Sequence, residues 1–309
     1  MREAILAASA RLAPVLRVTP LEYADQIGAY LKLEHLQHTG SFKFRGASNR
    51  IALLTPEQAA AGVIAASNGN HGIAVAVAAQ ARGIAAEIFV SSQVSPSKVR
   101  RIDAAGAKVR YAGGDPLSAE LSARQAAGSS GRVFISPYND LDVMAGQGTV
   151  AVELEQQLPE LDAVFVAVGG GGLIGGIGSY LKAVALRTEI VGCWPENSPV
   201  MLRCMEAGRI VDVQEEPTLS ESTAGGLEPG AVTLDVCRNV IDRPVLVTEH
   251  EIMNAMRLVF ESEHWVTEGA AGVAVAAFLR EAARWREKRA AIVICGRNVS
   301  ARVLHVFRT

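Results

Sequence analysis

Short apolar runs recur along this chain, each separated from the next by an alanine-rich stretch of helical spacing, and that alternation leaves few folds open. The first series comprises GVIAAS (62–67), AEIFVS (86–91), KVRYAG (108–113) and RVFIS (132–136). The second comprises LDAVFVAV (161–168), EIVGCW (189–194), RPVLVT (243–248) and AAIVICG (290–296). Strands joined through helices pair mainly in parallel. The pattern therefore predicts an α/β fold of two sheet-based domains, covered by helices and sharing a cleft, with a boundary near residue 138. Helix signals agree: Ser95 is read as the cap of SPSKVRRIDAAG with Pro96 at its first position, and Thr248 to Glu251 as a capping box. In such folds ligands bind outside the carboxyl ends of the strands, so the loops there matter most.

Composition narrows the class of partner. A chain of 309 residues with 49% apolar and 20% charged residues is globular, and long enough for two cores sharing a cleft. A formal charge of −2 gives no reason to expect nucleic acid or an anionic membrane. The cysteines (Cys193, Cys204, Cys237, Cys295) form no CxxC pair and no metal-ligand spacing, so free thiols in a reducing cytoplasm are expected. The N-terminal run to Leu16 reads as a packed helix and not as an export signal. No apolar run approaches the roughly 20 residues that a membrane-spanning helix needs.

Four segments could carry chemistry. VGGGGLIGGIG (168–178) follows a predicted strand and opens a helix, where glycines let the backbone approach an anion and unpaired N–H groups favour a phosphate. Gly170, Gly172 and Gly175 also satisfy G-x-G-x-x-G, with Glu189 or Glu196 downstream, so a dinucleotide stays open at this point, as does close helix–sheet packing. SNGNHG (67–72) is a second polar loop at a helix start, and CGRN (295–298) ends the last strand. In EHLQHTGSFKFRGASNR (34–50), Lys43 lies between Phe42 and Phe44. An amine that must attack a carbonyl needs to be deprotonated, and a partly desolvated aromatic setting favours that; an isolated F-K-F is otherwise a lysine stem lying on apolar surface.

LKLEHLQHTGSFKFRGA, SNGNHG, AGQGT (145–149), VGGGGLIGGI and CGRNV stand in the order found in the serine/threonine dehydratase family, which the chain resembles from about Thr19 to Val299. The dinucleotide reading recedes accordingly. The resemblance implies a pyridoxal 5′-phosphate enzyme of the tryptophan-synthase-β-like fold (fold type II). It implies a large cofactor-binding domain of 1–48 and 139–309 and a small substrate-loop domain of 49–138. Lys43 would carry the Schiff base, Phe42 would border the ring, and Asn70 would bond the pyridine 3′-oxygen. The backbone of Gly169, Gly170, Gly171, Gly172 and Leu173 would hold the phosphate, and Cys295 would face the pyridine nitrogen. Ser67, Asn68, Gly69 and His71 would surround a substrate carboxylate. The implied reaction is loss of water from a 3-hydroxy amino acid resembling L-threonine or L-serine, giving a 2-oxo acid and ammonia, with the freed Lys43 amine taking the α-proton. A homodimer is the family-level expectation.

Some positions depart from the family pattern. Serine racemases of the family carry serine at the position of Asn68, and an amide cannot replace that base. Trp194 stands where metal-dependent members place a glutamate, so no structural metal is expected. Gly225 replaces an aspartate and Arg297 a small residue, which leaves open a 3-hydroxy amino acid of hydroxyaspartate or phenylserine type; Arg297 either engages substrate or faces solvent. Glu268, in WVTEGAAG, matches a family glutamate near the site, or is a charge at a helix start. The chain ends soon after the core pattern, so the C-terminal regulatory domain of biosynthetic threonine dehydratases is not expected. β-Replacement, serine racemisation and a non-catalytic binding role are the competing functions.

Overall fold

A computed structural model describes every residue except 93, 115, 185–186, 300–302, 304–305 and 308–309. Its strands are β1 (Leu21–Ala24), β2 (Ala29–Lys32), β3 (Val63–Ala66), β4 (Ala86–Val90), β5 (Lys108–Tyr111), β6 (Val133–Phe134), β7 (Ala163–Ala167), β8 (Glu189–Pro195), β9 (Arg243–Val247) and β10 (Ala290–Val293). They build a six-stranded sheet, β1-β2-β10-β7-β8-β9, and a four-stranded sheet, β5-β4-β3-β6. Only the β1–β2 pairing is antiparallel. Every expected strand is present, and the fold is α/β with mainly parallel sheets. Central β7 is buried along its whole length, as a strand covered by helices on both faces must be.

Two local readings need correction. The β1–β2 hairpin was not anticipated, because Leu21–Ala24 buries only Ala24 and so lacks a clear apolar alternation. Ser95 does occupy the position before the helix Pro96–Ala104, but its hydroxyl caps no backbone N–H and lies instead 3.1 Å from the Ser97 hydroxyl. The capping box at Thr248 is present: Glu251 N–H donates to Thr248 Oγ1 at 3.2 Å, and Thr248 N–H donates to Glu251 Oε2 at 2.8 Å.

Three helices set the spacing of the cleft. Lys43–Ala52 and Gly172–Ala183 both pack on Leu141–Gln157. Glycine permits each approach. A Cβ on Gly146 would lie 2.7 Å from the Cα of Gly46, and one on Gly176 would lie 2.4 Å from the Met144 carbonyl oxygen. AGQGT (145–149) is therefore a packing segment that fixes the Lys43 helix against the helix opened by the glycine loop.

Beneath the first of these helices lies a buried ionic cluster. Arg45 is fully enclosed and clasps Glu34 through Nε and Nη2, both at 2.7 Å. Its Nη1 donates to Glu153 at 2.7 Å and to the Thr149 hydroxyl at 3.0 Å. Lys32 completes the cluster by donating to Glu153 at 2.5 Å and to the Thr19 carbonyl at 2.8 Å. Burial opposes the charge on Glu34, but Arg45 and Lys32 outweigh it and hold the carboxyl below its usual range.

Arg45→Met should strand Glu34 as a buried, uncompensated anion and cost about 3–5 kcal/mol. A urea titration near neutral pH should then reach its midpoint at lower denaturant with an unchanged slope. Because the Glu34 pKa is depressed, the contribution is complete above the unfolded value of about 4.3 and fades as pH falls below it. The difference between variant and parent should shrink on acidification.

Candidate active site

The residues around Lys43 converge from four strand ends. Lys43 is the first residue of its helix. The preceding residue, Phe42, donates its N–H to the Cys295 carbonyl at 3.1 Å, which ties the helix start to the loop after β10. The Lys43 amine donates to the Pro137 carbonyl at 2.8 Å and lies 5.0 Å from the centre of the Phe42 ring. It faces a cleft lined also by Asn70, Tyr138, the 169–174 turn, Thr223, Glu268 and Cys295. Burial lowers the Lys43 pKa to about 8, against the opposing pull of Glu268 and Cys295.

The glycine loop is shaped for an anion. Gly171 adopts φ +84°, a left-handed conformation natural to glycine, and caps the helix Gly172–Ala183. Leu173 is buried one residue inside it. Among the described residues, the N–H groups of Gly169, Gly170 and Gly171 find no acceptor. A Cβ at Gly170 would sit 2.3 Å from the Tyr138 ring, and one at Gly169 would sit 2.9 Å from Thr223 Cα. These free donors at a helix start, beside a lysine whose pKa is lowered, fit a phosphorylated aldehyde: an anion for the turn and a carbonyl for the amine.

Glu268 is the charge hub that sequence reading left undecided. Asn70 Nδ2 donates to its two oxygens at 2.8 and 3.1 Å, and the Ser222 hydroxyl donates at 3.4 Å. The Cys295 thiol donates at 3.6 Å. Burial pushes the pKa of both Glu268 and Cys295 up, so Cys295 stays a neutral thiol. Only glycine fits at 296, where a Cβ would lie 2.4 Å from the Glu268 carboxylate.

The loop after β3 is less uniform than its polar sequence suggests. Asn70 reaches the cleft, but Asn68 turns to the end of β4. There its Nδ2 donates to the Ser91 hydroxyl at 2.7 Å, and its Oδ1 accepts from Ser91 N–H at 2.8 Å. The Ser67 hydroxyl accepts from Gly69 N–H at 3.1 Å. The His71 ring is buried against the Ile135 carbonyl at 2.9 Å, and burial lowers its pKa to about 3. It is a neutral core histidine, and only its backbone faces the loop's helix start. Arg297 is exposed, and its side chain lies beside Gly40, outside the cleft. Gly225 is also exposed, with φ +118° and its N–H on Glu215. Trp194 is fully buried in the core.

Sequence reading did not single out Tyr138, Ser222 or Thr223, and included Asn298 only as the last residue of CGRN. No local pattern marks the first three; they become neighbours of the site only when strand ends from both sheets are brought together.

Comparison with known proteins identifies the family and the fold. Residues 12–296 match the family model for pyridoxal-phosphate dependent enzymes. An L-threonine ammonia-lyase of Thermotoga maritima is 38% identical over 308 residues, covering 98% of this chain and 76% of the relative. A catabolic L-threonine dehydratase of Staphylococcus aureus is 36% identical over 302 residues, covering 94% and 87% of the two chains. Among solved structures, maize serine racemase superimposes with a TM-score of 0.92 at 31% identity, covering 98% of this chain and 95% of that one. A threonine deaminase from Solanum lycopersicum gives 0.92 at 30% identity, covering 97% and 90%.

The lowered pKa can be tested without any cofactor. Acylation of Lys43 by a water-soluble amine reagent, followed by peptide mapping, should show an inflection near pH 8, against about 10.4 for an ordinary lysine. An inflection at the ordinary value would mean that the amine is solvated.

Proposed function

The chain belongs to the pyridoxal-phosphate-dependent enzyme family, and on that footing we propose that it is an ammonia-lyase that removes water from a 3-hydroxy amino acid, L-threonine or L-serine first among them. The products are a 2-oxo acid and ammonia. The observation that carries the reading is Lys43, with its lowered pKa, facing a glycine turn of unpaired N–H groups across one cleft. When bound, the cofactor supplies an electron-accepting ring that stabilises the carbanion left by loss of the α-proton.

This chain's residues do the rest. Lys43 would hold the aldehyde, and its Nζ would accept the α-proton. Gly169 to Leu173 would hold the phosphate, and Phe42 would border the ring. Asn70 would donate to the 3′-oxygen, while Cys295 would offer the ring nitrogen a neutral thiol. Ser67, Gly69 and the backbone of Asn68 would receive the substrate carboxylate, the Asn68 amide being committed to Ser91. His71 contributes through its backbone at the helix start, since its ring is committed to Ile135. The β-hydroxyl departs with a proton as water, and the released enamine takes up water to yield ammonia and the 2-oxo acid.

The Asn68–Ser91 contacts favour the lyase over a racemase. Both polar ends of the amide are occupied, and an amide has no basic lone pair to offer a proton. Hydroxyaspartate- or phenylserine-type substrates and β-replacement chemistry are the alternatives. The proposal includes a homodimer and a division into 1–48 with 139–309 and 49–138; all four strands of the small sheet fall within the latter segment. A cytoplasmic location accords with four buried, unpaired cysteines. Among the described residues no helix is long and apolar enough to cross a membrane.

Holoenzyme should absorb at about 410–420 nm, and Lys43→Ala should lose both that band and turnover. A panel of threonine, serine, hydroxyaspartate and phenylserine, read as 2-oxo acid with and without an added thiol, separates elimination from β-replacement. Turnover that needs the thiol would point to replacement, and silence on the whole panel would overturn the lyase reading.

A further inference from the structure

Asn70 does not set its own orientation. Its Oδ1 accepts from Asn298 Nδ2 at 2.5 Å while its Nδ2 faces Glu268 at 2.8 and 3.1 Å. Asn298 is in turn held at three points. Its Nδ2 also donates to the Thr39 carbonyl at 3.0 Å, and its Oδ1 accepts from the Arg101 guanidinium. Arg101 reaches the Thr39 carbonyl as well, through Nη2 at 3.3 Å.

The direction of this chain of hydrogen bonds follows from the chemistry of its ends. A guanidinium can only donate; a backbone carbonyl and a carboxylate can only accept. Arg101 therefore fixes the oxygen end of Asn298, and Thr39 fixes its nitrogen end. Asn298 must then present N–H to Asn70, which leaves the Asn70 NH₂ group toward Glu268 and the cleft. Neither amide can flip without setting like against like at both of its contacts. The surrounding backbone is built to this arrangement: at Gly40, with φ +79°, a Cβ would lie 2.9 Å from Asn298 Oδ1.

We propose that Asn298, locked by Arg101 and Thr39, is a positioning residue that fixes the Asn70 side chain as a hydrogen-bond donor toward the cleft. Because Asn70 is the side chain read above as serving the cofactor's 3′-oxygen, this inference rests on the pyridoxal-phosphate reading for its catalytic consequence. The hydrogen-bond direction itself does not depend on that reading. Arg101, on the helix Pro96–Ala104, thereby acts on the site without lining the cleft.

The test uses Asn298→Asp, which is close to isosteric but replaces the donor with a second acceptor, and the pair Arg101→Met and Arg101→Lys at an exposed position. In cofactor-free ¹⁵N-labelled protein, the Asn70 side-chain amide, assigned by its loss in Asn70→Asp, should exchange with solvent at least about tenfold faster in Asn298→Asp. In holoenzyme the same variant should shift the visible band and lower kcat at least about tenfold, with KM changed less than about threefold. Arg101→Met should move both readouts in the same direction by a smaller factor, and Arg101→Lys, which keeps a donor-only cation, should restore them. A purely structural role would shift the melting temperature and leave the band in place. Unchanged amide exchange and an unchanged band, in Asn298→Asp or in Arg101→Met should the former not fold, would overturn the proposal. Parent protein without any visible band on reconstitution would instead remove the cofactor reading, while amide exchange would still decide the role of Asn298.

Discussion

The clasp of Arg45 on Glu34 and Glu153 is the interaction on which the rest of the site depends. It lies two residues beyond Lys43, on the same helix, and joins that helix to the loop after β2 and to the helix Leu141–Gln157. Burying four charged groups is costly, and an ion pair of this kind offsets its desolvation only when every donor is used. Here the guanidinium is saturated: Nε and both Nη atoms each contact a carboxylate, and Nη1 also meets Thr149. The backbone at Lys43 is thus held, while its long side chain extends to the Pro137 carbonyl at the cleft. That combination suits a residue whose amine must leave one carbon and meet another proton without its Cα moving.

Electrostatics within the cleft then decide what that amine can do. Burial works against an ammonium on Lys43, and the nearby Glu268 works for it; burial wins, leaving a pKa of about 8. Were Glu268 absent, the amine would be neutral more often but would lose its counter-ion. Were the cleft wetter, the pKa would rise toward the ordinary lysine value and the neutral, nucleophilic fraction at neutral pH would fall. Burial raises the Glu268 pKa as well, and the donors around it, Asn70 first, pull against that rise without cancelling it. A hub that accepts from both an amide and a thiol also keeps Cys295 protonated, so the group beside Lys43 at the end of β10 is neutral.

How much of this could be read from the sequence depends on the range of the interaction. The eight apolar runs were legible because a buried parallel strand is a local pattern, and the glycine loop because a left-handed cap and a close approach demand glycine within a few residues. The β1–β2 hairpin escaped because an edge strand that buries only Ala24 has no such signature. The ionic cluster escaped for another reason. Glu153 lies 108 residues from Arg45 and 121 from Lys32, so only the fold makes them neighbours. SNGNHG was recognisable as a polar loop, but not the fate of each side chain. Asn68 turns to Ser91 and His71 into the core because β4 and β6 flank β3, and that order is a property of the sheet.

The choice between elimination and racemisation comes down to counting groups that can exchange a proton near neutral pH. Among the described residues lining the cleft, the titratable ones are Lys43, Tyr138, Glu268 and Cys295. Burial drives Tyr138 and Cys295 upward, out of reach as bases, and the Tyr138 oxygen already accepts from Glu228 N–H at 2.9 Å. Burial raises Glu268 too, and its oxygens already accept from Asn70, Ser222 and Cys295. Lys43 is the one amine, lowered toward the useful range. Inverting a stereocentre requires that a proton taken on one side be returned on the other, and hence a second acid–base group. Expelling a β-substituent after deprotonation requires only one. A cleft with a single amine, and with an amide at position 68 whose two ends are already bound, has the proton chemistry of a lyase.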